Sequence, residues 1–305
     1  MYNLEAYDDA LRTILKDGVR KENRTGVATL AIFGIQSRYR IDERFPILTG
    51  RKVWPKAIFA ELLWFLSGSS RNQDLQALGS NIWTPWVDPE FEKKHGYAPG
   101  CFGPVYGFQL RHFGGHYGNG IGGFASSEND YVEDHSRPSP RRINYYGGSG
   151  TDQLALMVET LRTNPDDRRN LFSLWNPNQI GSMRLPPCHY TFQCFVNKDK
   201  LSGMLTQRSC DFPIGVPANI QFYSALIYML AQQSGLEPYE FIHSTADSHI
   251  YEDQIEAVEE YLARPKPDSP RLSLKCATDI CSYQMSDFEI AEYHPEAPIK
   301  IPVAV

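Results

Sequence analysis

Residues 185–219 read LPPCHYTFQCFVNKDKLSGMLTQRSCDFPIGVPAN, and this stretch decides the fold because it holds two apolar runs of strand length. The runs are residues 190–196 and 201–206, and the polar Asn197-Lys198-Asp199-Lys200 between them is typical of a hairpin turn. The same stretch carries a thiol, a histidine, an arginine, a carboxylate and an amide, which are Cys188, His189, Arg208, Asp211 and Asn219. It therefore predicts a hairpin that carries chemically active side chains.

Helical patterns lie on both sides of this hairpin. An amphipathic helix is expected to begin after Asn3, as its N-cap, and to end at Gly18. Residues 55–68 start with proline, end with glycine and are apolar on almost every face, which predicts a buried helix. Further helices are predicted at residues 151–164, at 220–233 and in an acidic segment that ends near Arg264.

Strands are expected between these helices, around residues 28–32 and at 171–175 and 241–245. Residues 103–115 are interpreted as a turn and strand that carry Tyr106. From about residue 114 to 150 the composition shifts to Gly, Ser, Asn, Tyr and Asp, which is typical of a surface insertion. Because no repeat or linker divides the chain, we expect one α/β (α+β) domain over residues 1–305 with this insertion.

Composition and charge restrict the class of protein. Of the 305 residues 42% are hydrophobic, enough for a large core, and the formal net charge is −6. The negative charge argues against DNA as a partner, so an anionic ligand would need a local cluster of arginines. The first residues lack a signal-peptide pattern, and no uncharged apolar stretch reaches the roughly 18 residues of a membrane span. We expect a cytoplasmic protein without membrane contact.

The six cysteines show no paired CxxC spacing, so neither a disulfide framework nor a bound metal is predicted. Cys188 follows two prolines, which restrict the backbone at that point. A cysteine is a useful nucleophile only as a thiolate, and Arg208 could supply the cation that favours this form if the hairpin strands are adjacent. Taken alone, a cysteine such as Cys188 is more often a small buried side chain than a nucleophile.

Two other chemistries are compatible with these residues. A Cys-His-Asn protease could use Cys188, His249 and Asn219, although no protease signature surrounds them. A metal could be held by His189, Cys194 and His249, but these lack the short paired spacing of strong metal motifs. From spacing alone, the chain is an α/β enzyme with a thiol near arginines.

Glu61 and the pair Arg168-Arg169 each have a structural and a functional interpretation. Glu61 lies in the middle of the apolar helix predicted at residues 55–68, where an ionised carboxylate is costly unless it is paired or faces a wet cavity. In the structural interpretation, Glu61 is satisfied by one buried partner. In the functional interpretation, it is an acid or base in a cavity, and burial raises its pKa. The two arginines belong either to a solvated turn or to a phosphate clamp.

An ordered set of motifs resembles the thymidylate synthase family. The motifs are LPPCH, QRSCD, IGVPANI, ADSHIY and a C-terminal IKIPVAV, preceded in order by NRTG, ELLWFLSG, IW, GPVYG and DDRR. The resemblance covers nearly the whole chain outside residues 114–150. It implies a thymidylate synthase-like fold, in which a large mixed sheet packs against helices and against the sheet of a second subunit in a homodimer.

The resemblance also implies a methyltransferase that converts dUMP to dTMP. The one-carbon unit and a hydride would come from 5,10-methylenetetrahydrofolate, without a metal. Cys188 matches the nucleophile that adds to C6 of uracil, and Asn219 matches the amide that reads O4 and N3. Glu61, Tyr106 and His189 match members of the network that handles protons and water.

Binding roles follow from the same resemblance. The nucleotide would be bound by Arg24, Gln207, Arg208, Ser209, Asn219, His249 and Tyr251 and by Arg168 and Arg169 of the other subunit. Of these, His249 and Tyr251 match residues that bind the ribose. Folate would be bound by Trp83, Asp211, which also matches a catalytic residue, and the terminal Val305, which matches a tail that closes over the complex.

Some positions depart from the family's pattern. Ala218 stands where phenylalanine usually precedes the uracil-reading asparagine, which would open space beside the nucleotide. Residues 243–246, His-Ser-Thr-Ala, replace Trp-Thr-Gly-Gly, and Asp253-Gln254 replaces an Asn-His pair.

These departures leave a second reaction open, 5-hydroxymethylation of dUMP, or more remotely of CMP or dCMP, with water in place of hydride. Asn219 disfavours the cytosine substrates, whereas Trp83, His189 and Val305 favour reduction in a dry site. An inactive paralogue that acts as a binding protein is a more remote alternative.

Overall fold

The computed structural model describes residues 1–23, 25–117, 131–134, 141–144 and 150–303. Most of the expected insertion at residues 114–150 therefore lies outside the described residues. The helices are α1 Glu5–Asp17, α2 Pro55–Leu66, α3 Asn72–Ala77, α4 Pro89–His95, α5 Tyr106–Arg111, α6 Gln153–Thr163, α7 Gly215–Ser234 and α8 Ile255–Ala263. The strands are β1 Val19–Lys21, β2 Thr29–Arg40, β3 Tyr131–Asp134, β4 Arg141–Asn144, β5 Leu171–Ser173, β6 His189–Asn197, β7 Lys200–Asp211, β8 Glu237–Tyr251, β9 Arg271–Leu274 and β10 Phe288–Ala291.

A six-stranded sheet in the order β1-β2-β8-β7-β6-β5 organises the molecule. β7 and β8 pair in parallel, and the other neighbours in this sheet are antiparallel. Helices α1 and α7 pack against the sheet, and α2 packs on α7. The predicted α/β class, with a large mixed sheet against helices, is confirmed.

The predicted hairpin is confirmed as β6 and β7, which pair from His189 with Gln207 to Asn197 with Lys200. β7 is longer than predicted and continues to Asp211. β8 also extends beyond the predicted residues 241–245, as far as Tyr251. Both extensions have the same cause, which is pairing with neighbouring strands. The end of β7 pairs with β8, and the end of β8 also pairs with β2, so backbone groups are satisfied even where the sequence is polar. Arg208 and His249 consequently lie on strands.

The two buried helices form where the apolar patterns predict them. α2 has Pro55 in its first turn and a buried face that includes Phe59, Leu62 and Trp64. α7 begins five residues before the predicted start at 220, because Pro217 lies in its first turn, where a missing N–H costs no hydrogen bond. α7 ends at Gly235, whose φ of 69° is the left-handed conformation that glycine adopts easily.

Two local predictions are wrong. Asn3 does not cap α1; its side-chain amide donates to the carbonyls of Arg40 and Arg44, at 2.7 and 2.8 Å, and so attaches the N-terminus to the end of β2. Tyr106 lies at the start of α5 and not on a strand. The residues from Tyr106 to Leu110 are all buried, whereas a strand with one buried face would alternate buried and exposed residues. The segment therefore lacks the burial pattern of such a strand.

In the described part of the chain, no helix has the length and apolar character needed to cross a membrane.

Candidate active site

Cys188 lies immediately before β6, where the two preceding prolines restrict the chain. Its backbone N–H donates to Tyr106 Oη at 2.8 Å, so the start of α5 holds the cysteine's backbone. Arg208, on the adjacent strand β7, places Nη2 3.7 Å from the Cys188 Sγ. The predicted cation is therefore present beside the thiol, where it favours the thiolate.

The orientation of Arg208 is set by neutral acceptors. Its Nε donates to the carbonyl of Pro187 at 2.9 Å and Nη2 to that of Pro186 at 3.0 Å, while its backbone N–H donates to the carbonyl of Cys188. These partners are carbonyls rather than a carboxylate, so they orient the guanidinium without neutralising its charge. The positive charge remains available to the thiol and to an anionic ligand.

Cys194 and Cys210, on the same two strands, have different surroundings. Both are buried, and burial raises the pKa of the Cys210 thiol to about 12 and raises the pKa of Cys194 as well. Cys188 is half-buried and has the arginine beside it. Among these three thiols, Cys188 is the one with the surroundings of a nucleophile.

His189 is buried under Tyr106, with ring centroids 4.5 Å apart. Its Nδ1 shares a 2.7 Å hydrogen bond with Tyr223 Oη. Burial, helped by nearby His243, lowers the pKa of His189 to about 3. The imidazole is therefore neutral at physiological pH and acts as a hydrogen-bonding group rather than as a cation.

Glu61, half-buried on α2, accepts a hydrogen bond from Trp83 Nε1 on its Oε1 at 2.5 Å. Burial raises the pKa of Glu61 to about 7, against the opposing effect of the Trp83 hydrogen bond. Trp83 packs edge-on to Tyr106, at 5.7 Å between ring centroids, so this carboxylate belongs to the same cluster as His189. A carboxyl group that exchanges its proton near neutral pH can act as an acid or a base there.

Asp211 ends β7 and is held by two neutral donors. Oδ1 accepts from the backbone N–H of Ile214 at 3.2 Å, and Oδ2 accepts from Gln254 Nε2 at 3.0 Å. Burial raises the pKa of Asp211, and these two hydrogen bonds oppose the rise. From the sequence, Gln254 is a departure from the family's pattern without an assigned role. The one sequence signal was its position three residues after Tyr251.

Residues predicted to bind a nucleotide line up on β7 and β8. Strand pairing sets Ser209 beside Asp247 and Asp211 beside His249. His249 Nδ1 bonds Asp247 Oδ1 at 2.9 Å, and the ring meets Tyr251 edge-on at 5.3 Å.

Gln207 is held in the same part of the sheet. Its Oε1 lies 2.9 Å from His243 Nε2, and its Nε2 donates to the carbonyl of Ser209 at 3.0 Å. Burial lowers the pKa of His243 to about 3, so this partner is neutral. Gln207 thus supports the backbone beside Arg208.

Asn219 lies at the start of the second turn of α7 and is half-buried. Its Oδ1 is 3.9 Å from the point that a Cβ on Gly215 would occupy, so the amide packs over the start of the helix. Ala218 beside it is also half-buried. α7 follows Asp211 after a turn of three residues, so Asp211 and Asn219 lie at the same end of the helix.

Arg168 and Arg169 lie in the turn between α6 and β5, and both are exposed. Arg169 makes two 2.9 Å hydrogen bonds to Asp167. Arg168 lines a groove over β6 and β7 together with Phe195 and Met204. The described contacts of these arginines are thus with the turn and the sheet, while the contacts of Arg208 reach the thiol.

Arg24 and Val305 lie outside the described residues. Within the described ranges, no group of three or more His, Cys, Asp and Glu side chains has the arrangement of a metal site. The metal hypothesis built on His189, Cys194 and His249 therefore has no support from the geometry. The protease hypothesis has none either, since His249 bonds Asp247 while the described thiol contact is with Arg208.

The chain matches known proteins along nearly its whole length. The family model described as "Thymidylate synthase" matches residues 5–305. Human thymidylate synthase is 40% identical over 303 residues, covering 98% of this chain and 90% of the relative. The enzyme of equine herpesvirus 2 is 39% identical over 303 residues, covering 98% and 97%. That of Corynebacterium aurimucosum is 40% identical over 299 residues, covering 98% and 97%.

Proposed function

Because the chain belongs to the thymidylate synthase family, a family of methyltransferases, we propose that it converts dUMP to dTMP with 5,10-methylenetetrahydrofolate. The folate would supply both the one-carbon unit and a hydride and leave as dihydrofolate. The observation that carries the proposal is the 3.7 Å separation of the Arg208 guanidinium from the Cys188 thiol, beside the paired strands β7 and β8 that carry Gln207, Ser209, His249 and Tyr251. An anionic substrate and a thiolate can both be stabilised there.

In the first step, the Cys188 thiolate forms a bond to C6 of the uracil ring. The electron pair of the C5–C6 bond moves toward O4, which becomes an enolate oxygen. A donor held at O4 stabilises this charge, and the Asn219 amide can donate to O4 and accept from the N3 proton. Since His189 is neutral, it orients water or the base without adding a second cation beside Arg208.

In the later steps, C5 attacks the folate's methylene carbon as the bond from that carbon to N10 breaks. C5 then loses its proton and the bond from the methylene to N5 breaks, which leaves an exocyclic methylene and tetrahydrofolate. Tyr106, fixed by its bond to the Cys188 backbone, would lie next to this position and assist proton removal. Glu61, with a pKa of about 7, can accept and return a proton through ordered water. A hydride from the folate reduces the exocyclic methylene, and the bond between C6 and sulfur breaks to restore the thiol.

Nucleotide binding would use positive charge from two subunits. Within one chain, Arg208 with Ser209 and Gln207 would meet the phosphate, joined by Arg24, and His249 and Tyr251 would meet the ribose. Arg168 and Arg169 of the partner subunit would complete the phosphate site in a cytoplasmic homodimer. The dimer is supported by apolar side chains on the sheet: Phe33 is 86% exposed and Phe195 is 68% exposed in the single chain.

The folate would bind between Trp83 and Asp211, with the C-terminal residues up to Val305 closing over it. Water exclusion by this closure favours reduction of the methylene over its hydration. Hydroxymethylation remains the second candidate, favoured by one observation. Ala218 is a small, half-buried side chain beside Asn219, where the family usually has phenylalanine, and this smaller side chain would leave room for water at the expected base site.

Product mass separates the two reactions. We would incubate the protein with dUMP and methylenetetrahydrofolate and analyse both the nucleotide and the folate. Methylation adds one methylene unit to the nucleotide and yields dihydrofolate. A nucleotide that carries an additional oxygen, with tetrahydrofolate as the other product, would contradict the proposal in favour of hydroxymethylation.

A further inference from the structure

Gln254 is a fully buried amide at the junction of three functional segments. It lies in the single helical turn Glu252–Gln254, directly after β8, and has no exposed surface. Its Oε1 accepts from the backbone N–H of Tyr251 at 3.1 Å. Its Nε2 donates to Asp211 Oδ2 at 3.0 Å and to the carbonyl of Pro302 at 2.9 Å. One side chain thus contacts the end of β8, the end of β7 and the end of the chain.

The chemistry of these three bonds requires an amide. One partner is a donor, so Gln254 must accept from it, and the other two are acceptors, so it must donate to both. A carboxylate at this position would retain the acceptor but would have no proton for Asp211 or Pro302. A methylene chain of the same length would leave all three partners unsatisfied inside the protein.

The last described residues are attached to the protein body at intervals. The Glu296 N–H donates to the carbonyl of Thr49 at 2.8 Å, and Arg264 donates to the carbonyl of Ala297. Ile299 packs against the core. The bond between Gln254 and Pro302 is the contact farthest along the chain among these, and it joins the tail to the carboxylate at the end of β7.

We propose that Gln254 is a positioning residue that ties the C-terminal segment to Asp211, so that the tail and this carboxylate take up their places together. The proposal rests on the proposed function in one respect, the assignment of Asp211 to the pterin of the folate. A carboxylate has about four acceptor positions, and Ile214 and Gln254 use two of them. The remaining positions can accept from a ligand's N–H groups, in an orientation that Gln254 sets.

The coupling follows from the shared NH₂ group. When the tail is docked, both hydrogens of Nε2 are used, and the amide plane is fixed against Asp211. When the tail leaves, one hydrogen loses its partner in a buried site, and the amide can rotate away from the carboxylate. Tail docking and folate binding therefore favour each other by the same factor.

Two substitutions separate the donor role from the capping role. Gln254→Leu removes all three bonds. Gln254→Glu keeps an acceptor for the Tyr251 N–H but removes both donors and sets a second carboxylate beside Asp211. Gln233→Leu is the matched control. Gln233 lies on the last turn of α7, is also a buried glutamine, and donates from its amide to the carbonyl of Ala277.

The first measurement is hydrogen exchange of residues 299–303 in the ligand-free protein, which does not depend on any enzymatic activity. We expect exchange at least about tenfold faster in both Gln254 variants than in the wild type and the Gln233→Leu control, from the loss of one buried hydrogen bond. Unchanged exchange in Gln254→Leu would overturn the proposal. Fast exchange in Gln254→Leu but wild-type exchange in Gln254→Glu would also overturn it, since capping of Tyr251 alone would then explain the effect.

The second measurement is the KM for methylenetetrahydrofolate as a function of pH. We expect about a tenfold increase in both Gln254 variants, with the KM for dUMP changed less than twofold. In Gln254→Glu the increase should grow with pH, because one proton shared by the two carboxylates is lost and they then repel each other. In Gln254→Leu it should be independent of pH. Equal KM increases for both substrates, or the same pH dependence in both variants, would indicate a general structural defect.

The outcomes distinguish this proposal from the proposed function. If the wild-type protein forms no dTMP but the Gln254 variants release the tail, the reaction assignment fails while the tether stands. If dTMP is formed and the tail exchanges at the same rate in all variants, the tether fails while the reaction stands.

Discussion

The thiol of Cys188 and the carboxyl groups of Glu61 and Asp211 have opposite kinds of partner. Cys188 lies 3.7 Å from the cationic Arg208. Glu61 and Asp211 are bonded to neutral donors, Trp83 and Gln254, and burial raises the pKa of both acids. The surroundings of the thiol therefore favour negative charge, and the surroundings of the two acids favour retained protons.

This difference suits a reaction that begins with a thiolate and continues with proton transfers. If the cation stood beside Glu61, the carboxyl group would lose its proton far below neutral pH. If the thiol stood among neutral donors in a buried site, it would resemble Cys210, with a pKa of about 12. Substitutions of the thiol, of its arginine and of Glu61 can test whether the two environments are distinct.

The largest effect is expected at the thiol itself. Cys188→Ala should reduce turnover by at least about a thousandfold, because no other group can form the bond to C6. Binding of dUMP, measured by calorimetry, should persist. The matched control is Cys194→Ala, which removes a buried thiol from the adjacent β6 and should retain activity. Substantial turnover in Cys188→Ala would refute the nucleophile assignment.

The next largest effect is expected on the free energy of unfolding when Glu61 is replaced by glutamine. Its pKa is raised from 4.5 to about 7, so the folded state holds the proton more tightly than the unfolded chain does. Wild-type stability is therefore lost as the pH rises from about 4.5 to about 7, by roughly 3 kcal/mol at most. Glu61→Gln removes this titration and can still accept from Trp83, so the variant should exceed the wild type at pH 8 but match it near pH 4.

Urea unfolding at both pH values measures the difference. The exposed Glu5→Gln serves as the control and should change the free energy of unfolding little at either pH. If Glu61→Gln shows the same difference from the wild type at pH 4 and pH 8, the raised pKa of Glu61 is wrong.

A smaller effect is expected for the cation. Arg208→Lys keeps the charge but loses the fork that reaches both the proline carbonyls and the thiol. We expect Cys188 to react about tenfold more slowly with iodoacetamide at neutral pH, because the thiolate is less favoured. Arg162→Lys, at an arginine bonded to Gln233, is the control. Equal alkylation rates in wild type and Arg208→Lys would mean that the surroundings of the thiol do not favour the thiolate as described.

The smallest effect should come from Ala218→Phe. The larger side chain would fill space beside Asn219 and change the discrimination between dUMP and UMP by a fewfold. The ratio of kcat/KM values for the two substrates measures this change. An unchanged ratio would show that the small residue does not alter the nucleotide pocket.

Local sequence was sufficient where one physical factor dominates. The apolar residues of α2 could only be buried, and that burial is what makes Glu61 a perturbed acid. The β6 and β7 hairpin followed from two apolar runs with a polar turn. Local sequence failed where several elements meet: Asn3 has a cap-forming side chain but bonds β2, and Tyr106 became helical in a site buried on every side.

The sequence by itself determined the family, the α/β class and the hairpin, because these depend on residue order and on patterns within single elements. Tertiary structure alone decided which charges those groups carry and which distant residues they meet. Burial lowers the pKa of His189 to about 3, and the amide of Gln254 joins Asp211 to Pro302 across long stretches of chain. Desolvation and hydrogen bonding depend on neighbours that only the folded chain brings together.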